Sequence, residues 1–298
     1  MIAGFIGLGT MGGPMARNIL KNGHEVVVFD VVQKAVDALA AAGARVAASP
    51  REVAQRVDYV ITMLPDSPDV ERVFGGPDGV LAGLRPGSVC IDMSTIDPDT
   101  TRRIGAQVRA KGAEMIDSPV GKTADAAVAG TLTLMVGGPA EVVARCRPLL
   151  DCMGSDFFHC GDLGAGQSMK LLNNLLAQTI GSASAEAMVL GTKAGLTLDL
   201  MTRVLSTTMA WNKQLEVNMP KKPLKGDFTP GFMLKLAHKD CRLALQMAHS
   251  LGVQAPVGRA TFAGLEEGMQ AGLKDLDVGV MLKLREEQAG VTVRISQA

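Results

Sequence analysis

Gly7-Leu8-Gly9-Thr10-Met11-Gly12 follows directly on the apolar run 2–6 (IAGFI) and opens a helical pattern from about Met11 to Lys21. Three glycines at this spacing, between a strand and a helix, leave a chain few ways to fold. The first glycine permits the tight turn, the second lets a pyrophosphate approach the backbone, and the third lets helix and strand pack closely. The N–H groups of the helix N-terminus, at Thr10, Met11 and Gly12, then face the phosphates. The next β-branched run, EVVVFD, ends at Asp30, 18 residues beyond Gly12. A carboxylate there can accept hydrogen bonds from both hydroxyls of a ribose and repels a 2′-phosphate. Val31 and Val32 offer no compensating cation, so NAD is expected over NADP.

The rest of the first half continues the pattern. Ser49-Pro50-Arg51-Glu52 reads as a helix start, with Ser as N-cap, Pro in the first turn and Glu closing a capping box. DYVITML (58–64) and SVCIDM (88–93) read as buried strands, and 97–111 as a helix. AEMID (113–117), TLTLMV (131–136) and SDFF (155–158) are expected to extend the same sheet. Strands alternating with helices imply a parallel, doubly wound α/β sheet. After about Gly161 the texture changes to Met-, Ala- and Leu-rich helix over 166–194, with further helices near 199–208, 232–251 and 257–271 and no convincing strand before the tail. The fold class expected is α/β, an N-terminal Rossmann-type dinucleotide-binding domain (1–162) with an all-α C-terminal domain (163–298). A Rossmann-type methyltransferase also carries a glycine-rich loop and an acidic residue after its second strand, and a glycine-rich turn that binds nothing is the plainer alternative.

Composition narrows the function classes. Lys+Arg and Asp+Glu number 30 each, so there is no basic surplus to attract nucleic acid. No uncharged run reaches the roughly 18–20 residues of a membrane span. The five cysteines are odd in number and show no CxxC spacing, which argues against a disulfide framework or a zinc site and for a reduced, cytoplasmic protein. The four histidines are scattered without ligand spacing, so no metal is expected.

The stretch from Phe5 to Ile19, FIGLGTMGGPMARNI, resembles the signature of the β-hydroxyacid dehydrogenases. That family includes 3-hydroxyisobutyrate dehydrogenases, tartronate semialdehyde reductases, succinic semialdehyde/glyoxylate reductases and sulfolactaldehyde reductases. Met63-Leu64-Pro65, Asp92-Met93-Ser94-Thr95, Asp117-Ser118-Pro119-Val120, Gly166-Gln167-Ser168-Met169-Lys170-Leu171-Leu172-Asn173-Asn174 and His238-Lys239-Asp240 match in order, so the resemblance spans nearly the whole chain and argues against the methyltransferase. It implies that Leu64 and Pro65 flank the cofactor, that Thr95 sits by the nicotinamide ribose and the substrate with Ser94 beside it, and that Lys170 is the catalytic lysine. It further implies that Asn174 shares the helix face of Lys170, that Lys239 contacts the cofactor, and that Asp240 lies at the rim of the catalytic pocket. Family members bury one face of the long helix against another subunit, which implies a homodimer or homotetramer.

Hydride delivery to an aldehyde builds negative charge on its oxygen, so a proton donor must be waiting there. An ammonium on a rigid helix meets that need and reverses role in oxidation. A snorkelling surface lysine is the commoner fate, but Met169, Leu171, Leu172, Leu175 and Leu176 around Lys170 suggest a largely buried helix. Lysine there also favours carbonyl chemistry over imine reduction, which shares the two-domain layout, and intact Lys170 and Asn174 disfavour a non-catalytic NAD-binding protein. Where most of the family follows Asp-x-Pro-Val with Ser-Gly-Gly, this chain has Gly121-Lys122-Thr123, resembling the sulfolactaldehyde reductases. A lysine plus a threonine hydroxyl suits a tetrahedral sulfonate, and if Lys122 points to solvent only the Gly121 and Thr123 amides matter. Trp211, the single tryptophan, is a candidate pocket wall or subunit contact; Phe232 is a pocket candidate for which core packing is the better expectation.

Overall fold

The computed structural model describes residues 1–295. Its contacts divide into two compact units, Met1–Lys170 and the chain from Leu171 onward.

The first unit holds nine strands: β1 (Ile2–Ile6), β2 (Glu25–Phe29), β3 (Arg45–Val46), β4 (Tyr59–Thr62), β5 (Val89–Asp92), β6 (Glu114–Asp117), β7 (Val120–Gly121), β8 (Leu132–Gly137) and β9 (Gly154–Gly161). Its helices are α1 (Gly12–Lys21), α2 (Gln33–Ala40), α3 (Pro50–Arg56), α4 (Ser67–Phe74), α5 (Val80–Gly83), α6 (Pro98–Arg109), α7 (Ala124–Ala129) and α8 (Ala140–Leu150). The sheet order is β3-β2-β1-β4-β5-β6-β8-β7, with β9 on β8. Every pairing from β3 to β6 is parallel, and an apolar cluster lies on each face. Phe5, Met15, Ile61 and Ile91 belong to one, and Ile6, Val53, Val60 and Ile104 to the other. The capping box forms as expected: Ser49 Oγ accepts from Glu52 N at 3.1 Å, and Glu52 reaches back to the Ala48 N–H.

The parallel order stops at β6. β8 runs antiparallel to both β6 and β7, with Asp117 opposite Gly137, Val120 opposite Leu134 and Gly121 opposite Thr133. That register is unbroken, so β6 and β7 act as one strand interrupted at Ser118-Pro119, where proline has no N–H to give. The Pro119 carbonyl still accepts from Met135 N at 3.1 Å. Only the short helix α7 connects β7 to β8, ended by Gly130 in the left-handed region, and a parallel return needs a longer crossover.

Helix α9 (Ala165–Lys193) contains the boundary between the units. The second unit continues it with α10 (Leu198–Leu205), α11 (Met219–Lys221), α12 (Leu234–Ser250), α13 (Pro256–Gln270) and α14 (Val280–Ala289). Its described residues contain no strand, only an isolated bridge between Met233 and Asp277. Trp211 packs on the cluster of Met188, Leu215 and Leu282, and Phe232 on that of Leu234, Leu265 and Met281. No helix of the described residues is long and apolar enough to cross a membrane.

Candidate active site

The glycine loop is built as its spacing demands. Gly7 has φ +94°, and a Cβ there would lie 2.3 Å from the Met63 carbonyl. A Cβ on Gly12 would lie 1.9 Å from the Gly7 carbonyl, so α1 packs on the turn with no room for a side chain. Gly9 differs, since a Cβ there would meet nothing within 4 Å. The space above Gly9 is therefore not taken up by protein packing, as a loop that receives a ligand requires. The first turn of α1 has no acidic residue to compete for its N–H groups. At the end of β2, Asp30 accepts from Leu8 N at 2.5 Å and from Val32 N at 2.7 Å. Each carboxylate oxygen has a second lone pair to offer a ribose hydroxyl, while Val31 and Val32 stand exposed beside it. Glycine cradle, helix N-terminus and carboxylate together fit a dinucleotide.

At the carboxyl ends of β4 and β5, Asp92 is fully buried and its Oδ1 accepts from Thr62 Oγ1 (2.8 Å) and Ser94 Oγ (2.6 Å). Ser94 Oγ in turn accepts from Leu64 N at 2.9 Å. Ser94, expected beside the substrate, is thus placed with its hydroxyl spent inside the scaffold. It ties the Leu64-Pro65 turn to the Thr95 turn, and Thr95 itself is half-buried.

Asp117 closes β6 opposite Asp92 and is also buried. It accepts from Gly164 N (2.6 Å) and Gln167 N (2.7 Å), fixing the start of α9. Burial pushes its carboxyl up to about 7 against the pull of those two N–H donors, with Asp92 adding to the rise. Gln167, fully buried, donates from Nε2 to the Ser94 carbonyl (2.8 Å) and accepts at Oε1 from Ile96 N (3.1 Å). Asp117 and Gln167 both lie inside motifs quoted from the sequence, but neither was given a role there, although a carboxylate closing the apolar strand 113–117 was a visible signal.

Lys170 is half-buried one turn into α9. The apolar residues around it do not all bury: Met169, Leu172 and Leu176 are 43%, 54% and 61% exposed, so the helix is less enclosed than its composition suggested. Asn174, on the same helix and buried, donates to Asp240 Oδ2 at 2.5 Å and accepts from Asn173 Nδ2 at 2.9 Å. Lys239 Nζ lies 3.2 Å from Asp240 Oδ1. Within the second unit, Asn174, Lys239 and Asp240 are thus one polar cluster that orients the asparagine amide.

Lys122 is the only described non-glycine residue with positive φ, at 74°. Its ammonium donates to the Thr131 carbonyl (2.6 Å) and to Asp156 Oδ2 (2.7 Å) rather than standing free toward a ligand. That ion pair holds the Asp156 carboxyl below its usual range. Gly121 is buried in β7, and Thr123 begins α7 without capping it by its side chain.

All five cysteines are free thiols, four of them buried, and burial pushes Cys146 and Cys241 up to about 12, leaving them inert as nucleophiles. Among the described residues no group of three or more His, Cys, Asp or Glu is placed to hold a metal.

Comparison with known proteins agrees with this geometry. Residues 2–161 match the model of the NAD binding domain of 6-phosphogluconate dehydrogenase, and residues 164–285 match that of the NAD-binding region of NADP-dependent 3-hydroxyisobutyrate dehydrogenase. The chain is 41% identical over 291 residues to the 3-sulfolactaldehyde reductase of Escherichia coli, covering 98% of each. It is also 41% identical to the NAD-dependent L-serine dehydrogenase of Pseudomonas aeruginosa, over 96% of this chain and 98% of the relative. A solved structure of Mycobacterium tuberculosis 3-hydroxyisobutyrate dehydrogenase with L-serine superimposes with a TM-score of 0.90 at 35% identity, covering 95% and 98% of the two chains. With glycine cradle, lysine helix and both family regions present along one chain, the protein belongs to the 3-hydroxyisobutyrate dehydrogenase-like β-hydroxyacid dehydrogenases and is an NAD-dependent oxidoreductase acting on CH–OH groups.

Proposed function

We propose that the enzyme reduces a small anionic semialdehyde with NADH, and that 3-sulfolactaldehyde is its best substrate: sulfolactaldehyde + NADH + H⁺ gives 2,3-dihydroxypropane-1-sulfonate + NAD⁺. The bound nicotinamide supplies the hydride. Lys170 Nζ gives the proton to the developing alkoxide, Asn174 orients the hydroxyl without adding charge, and Thr95 flanks the reacting carbon. The Leu64-Pro65 turn and Lys239 hold the cofactor, and Asp240 fixes Asn174 and Lys239. This assignment of roles follows the motifs and the hydrogen-bonded clusters around them.

The single observation that carries the sulfonate is a lysine kept in the left-handed region at Lys122. A non-glycine residue pays about 1–2 kcal/mol for that conformation, whereas the glycine found there in most of the family pays nothing. Strain retained in a substrate loop points to function. The Lys122–Asp156 pair is exposed on both sides, and such pairs contribute about 0–1 kcal/mol, so a sulfonate can displace the carboxylate. The Thr123 hydroxyl, which does not cap α7, would take a second sulfonate oxygen.

A steady-state screen with NADH against sulfolactaldehyde, tartronate semialdehyde, succinic semialdehyde and methylmalonate semialdehyde, and with NAD⁺ against L-serine, tests the substrate. Sulfolactaldehyde should give the highest kcat/KM. A charge-assisted hydrogen bond of about 1.5–3 kcal/mol, less about 1 kcal/mol for the lost Asp156 pair, predicts that Lys122→Gly raises its KM about 2- to 30-fold and leaves the carboxylated substrates nearly unchanged. L-Serine or a carboxylated aldehyde turning over faster in the wild type would mean that Lys122 stays on Asp156 and that backbone amides alone hold the anion.

Asp30 predicts cofactor choice. With the carboxylate in place, kcat/KM for NADH should exceed that for NADPH at least about tenfold, since a 2′-phosphate within a few ångströms meets a like charge. Asp30→Ala should weaken NADH and narrow the gap. Equal use of both cofactors by the wild type overturns the assignment.

We also infer that the enzyme works in the cytoplasm as a homodimer or homotetramer. The support is an odd number of cysteines without CxxC spacing, four of them buried, and the exposed Leu172 and Leu176, one turn apart on α9. Monomeric sedimentation at micromolar concentration would contradict the oligomer.

A further inference from the structure

We propose that Gln167 is a positioning residue for hydride transfer, setting the Thr95 turn against the head of the helix that carries Lys170. The inference rests on the roles assigned above to Thr95 and Lys170. Gln167 has no exposed surface, and its side-chain amide grips the chain on both sides of Thr95, donating to the Ser94 carbonyl at 2.8 Å and accepting from Ile96 N at 3.1 Å. One strand offers its neighbour the same donor–acceptor pair, here supplied by a side chain to a segment that has left the sheet. The backbone of Gln167 is fixed from the other side, its N–H donating to the buried Asp117 at 2.7 Å. Gly166 makes the seat tight, since a Cβ there would lie 2.1 Å from the Met135 carbonyl and 2.7 Å from Asp117 Oδ2. Lys170 follows three residues later on the same helix, on the neighbouring turn. Sheet, turn and helix head are therefore locked to one another through a single residue, whose side-chain amide must be both donor and acceptor.

That double demand makes the role testable. A glutamate has the right shape, but its carboxylate can only accept, so the Ser94 carbonyl loses its donor. Once protonated, the carboxyl again offers one O–H and one C=O in the same places. Methionine has nearly the same length and can do neither.

Both Gln167→Glu and Gln167→Met should lower kcat about 10- to 100-fold at pH 8, the cost of an ångström of misplacement at a reacting group. NADH affinity, read by its fluorescence, should stay within about twofold. The ratio of Gln167→Glu to wild-type kcat should then climb as pH falls from 8 to 5.5, while the ratio for Gln167→Met stays flat. A purely structural role would move the melting temperature but leave kcat of the folded enzyme and its pH profile alone, and that result overturns the proposal. Should the glutamate variant not fold, the methionine variant decides by itself: a lower kcat at unchanged NADH affinity supports positioning, and an unchanged kcat overturns it. Wild type and Lys170→Ala run in parallel separate the two levels. Failure of the underlying assignment shows as a Lys170→Ala enzyme that still turns over. Failure of the Gln167 inference shows as a fast Gln167→Met enzyme beside a dead Lys170→Ala.

Discussion

Lys170→Ala is expected to lower kcat at least about 100-fold in both directions while NADH binding changes little. The alkoxide formed when hydride reaches an aldehyde needs a proton from a group already in place, and general acid catalysis of this kind contributes about 10²–10⁴. Lys170 sits half-buried on α9, just beyond the turn that Asp117 and Gln167 fasten. In the proposed role, that anchorage would let a flexible side chain deliver its proton to a repeatable place. Because the interaction belongs to the transition state, kcat and kcat/KM for the aldehyde should fall together. Turnover close to wild type would assign the proton to another group. A loss of NADH affinity matching the loss of rate would make Lys170 a cofactor ligand instead.

Much of the first unit was legible because its determinants are local. The glycine spacing, the carboxylate at Asp30 and the Ser49–Glu52 box act over a few residues or a single strand–helix step, and the strands at 2–6, 25–29, 59–62 and 89–92 follow the apolar runs. What escaped depends on partners distant in sequence. Antiparallel β8 is decided by the brevity of the α7 connection, not by its own TLTLMV pattern, which would suit either direction. Ser94 lay in the right motif, but its hydroxyl is claimed by Asp92 and Leu64 N, which no periodicity announces. Lys122 was read either as a sulfonate ligand or as a solvated loop lysine, and its pairing with Asp156, 34 residues away, was visible in neither reading. Gln167 was quoted inside a motif and passed over because its partners, at 94 and 96, lie more than 70 residues earlier. Apolar composition around Lys170 also overstated burial, since the stripe of Met169, Leu172 and Leu176 faces outward in the single chain.

Two alanine substitutions in the glycine loop are expected to fail for opposite reasons, and the contrast tests what the loop is for. Gly12→Ala puts a methyl 1.9 Å from the Gly7 carbonyl and about as close to Phe5 Cε1 as any contact allows, at 3.0 Å. The obstacle is backbone, on a turn held where Gly7 N donates to the Phe29 carbonyl, so α1 must move off β1. Overpacking of this kind costs about 1–3 kcal/mol or more, and the melting temperature should drop by several degrees with NADH present or absent. Gly9→Ala meets nothing, since no protein atom lies within 4 Å of the new methyl and the residue has no positive φ to strain. Its melting temperature without cofactor should match the wild type. If the pyrophosphate crosses this loop as the motif implies, the methyl occupies its approach, and the same energy of overlap appears as lost affinity, about 10- to 100-fold in the NADH dissociation constant. The stabilisation that NADH confers on the wild type should shrink accordingly in Gly9→Ala, because ligand-linked stability follows the dissociation constant. If Gly9→Ala binds NADH as tightly as the wild type, the pyrophosphate does not cross this loop and the space above Gly9 serves another purpose. If Gly12→Ala melts with the wild type, the close approach of α1 to the turn is relieved at no cost, and the third glycine of the motif is not a packing requirement in this chain.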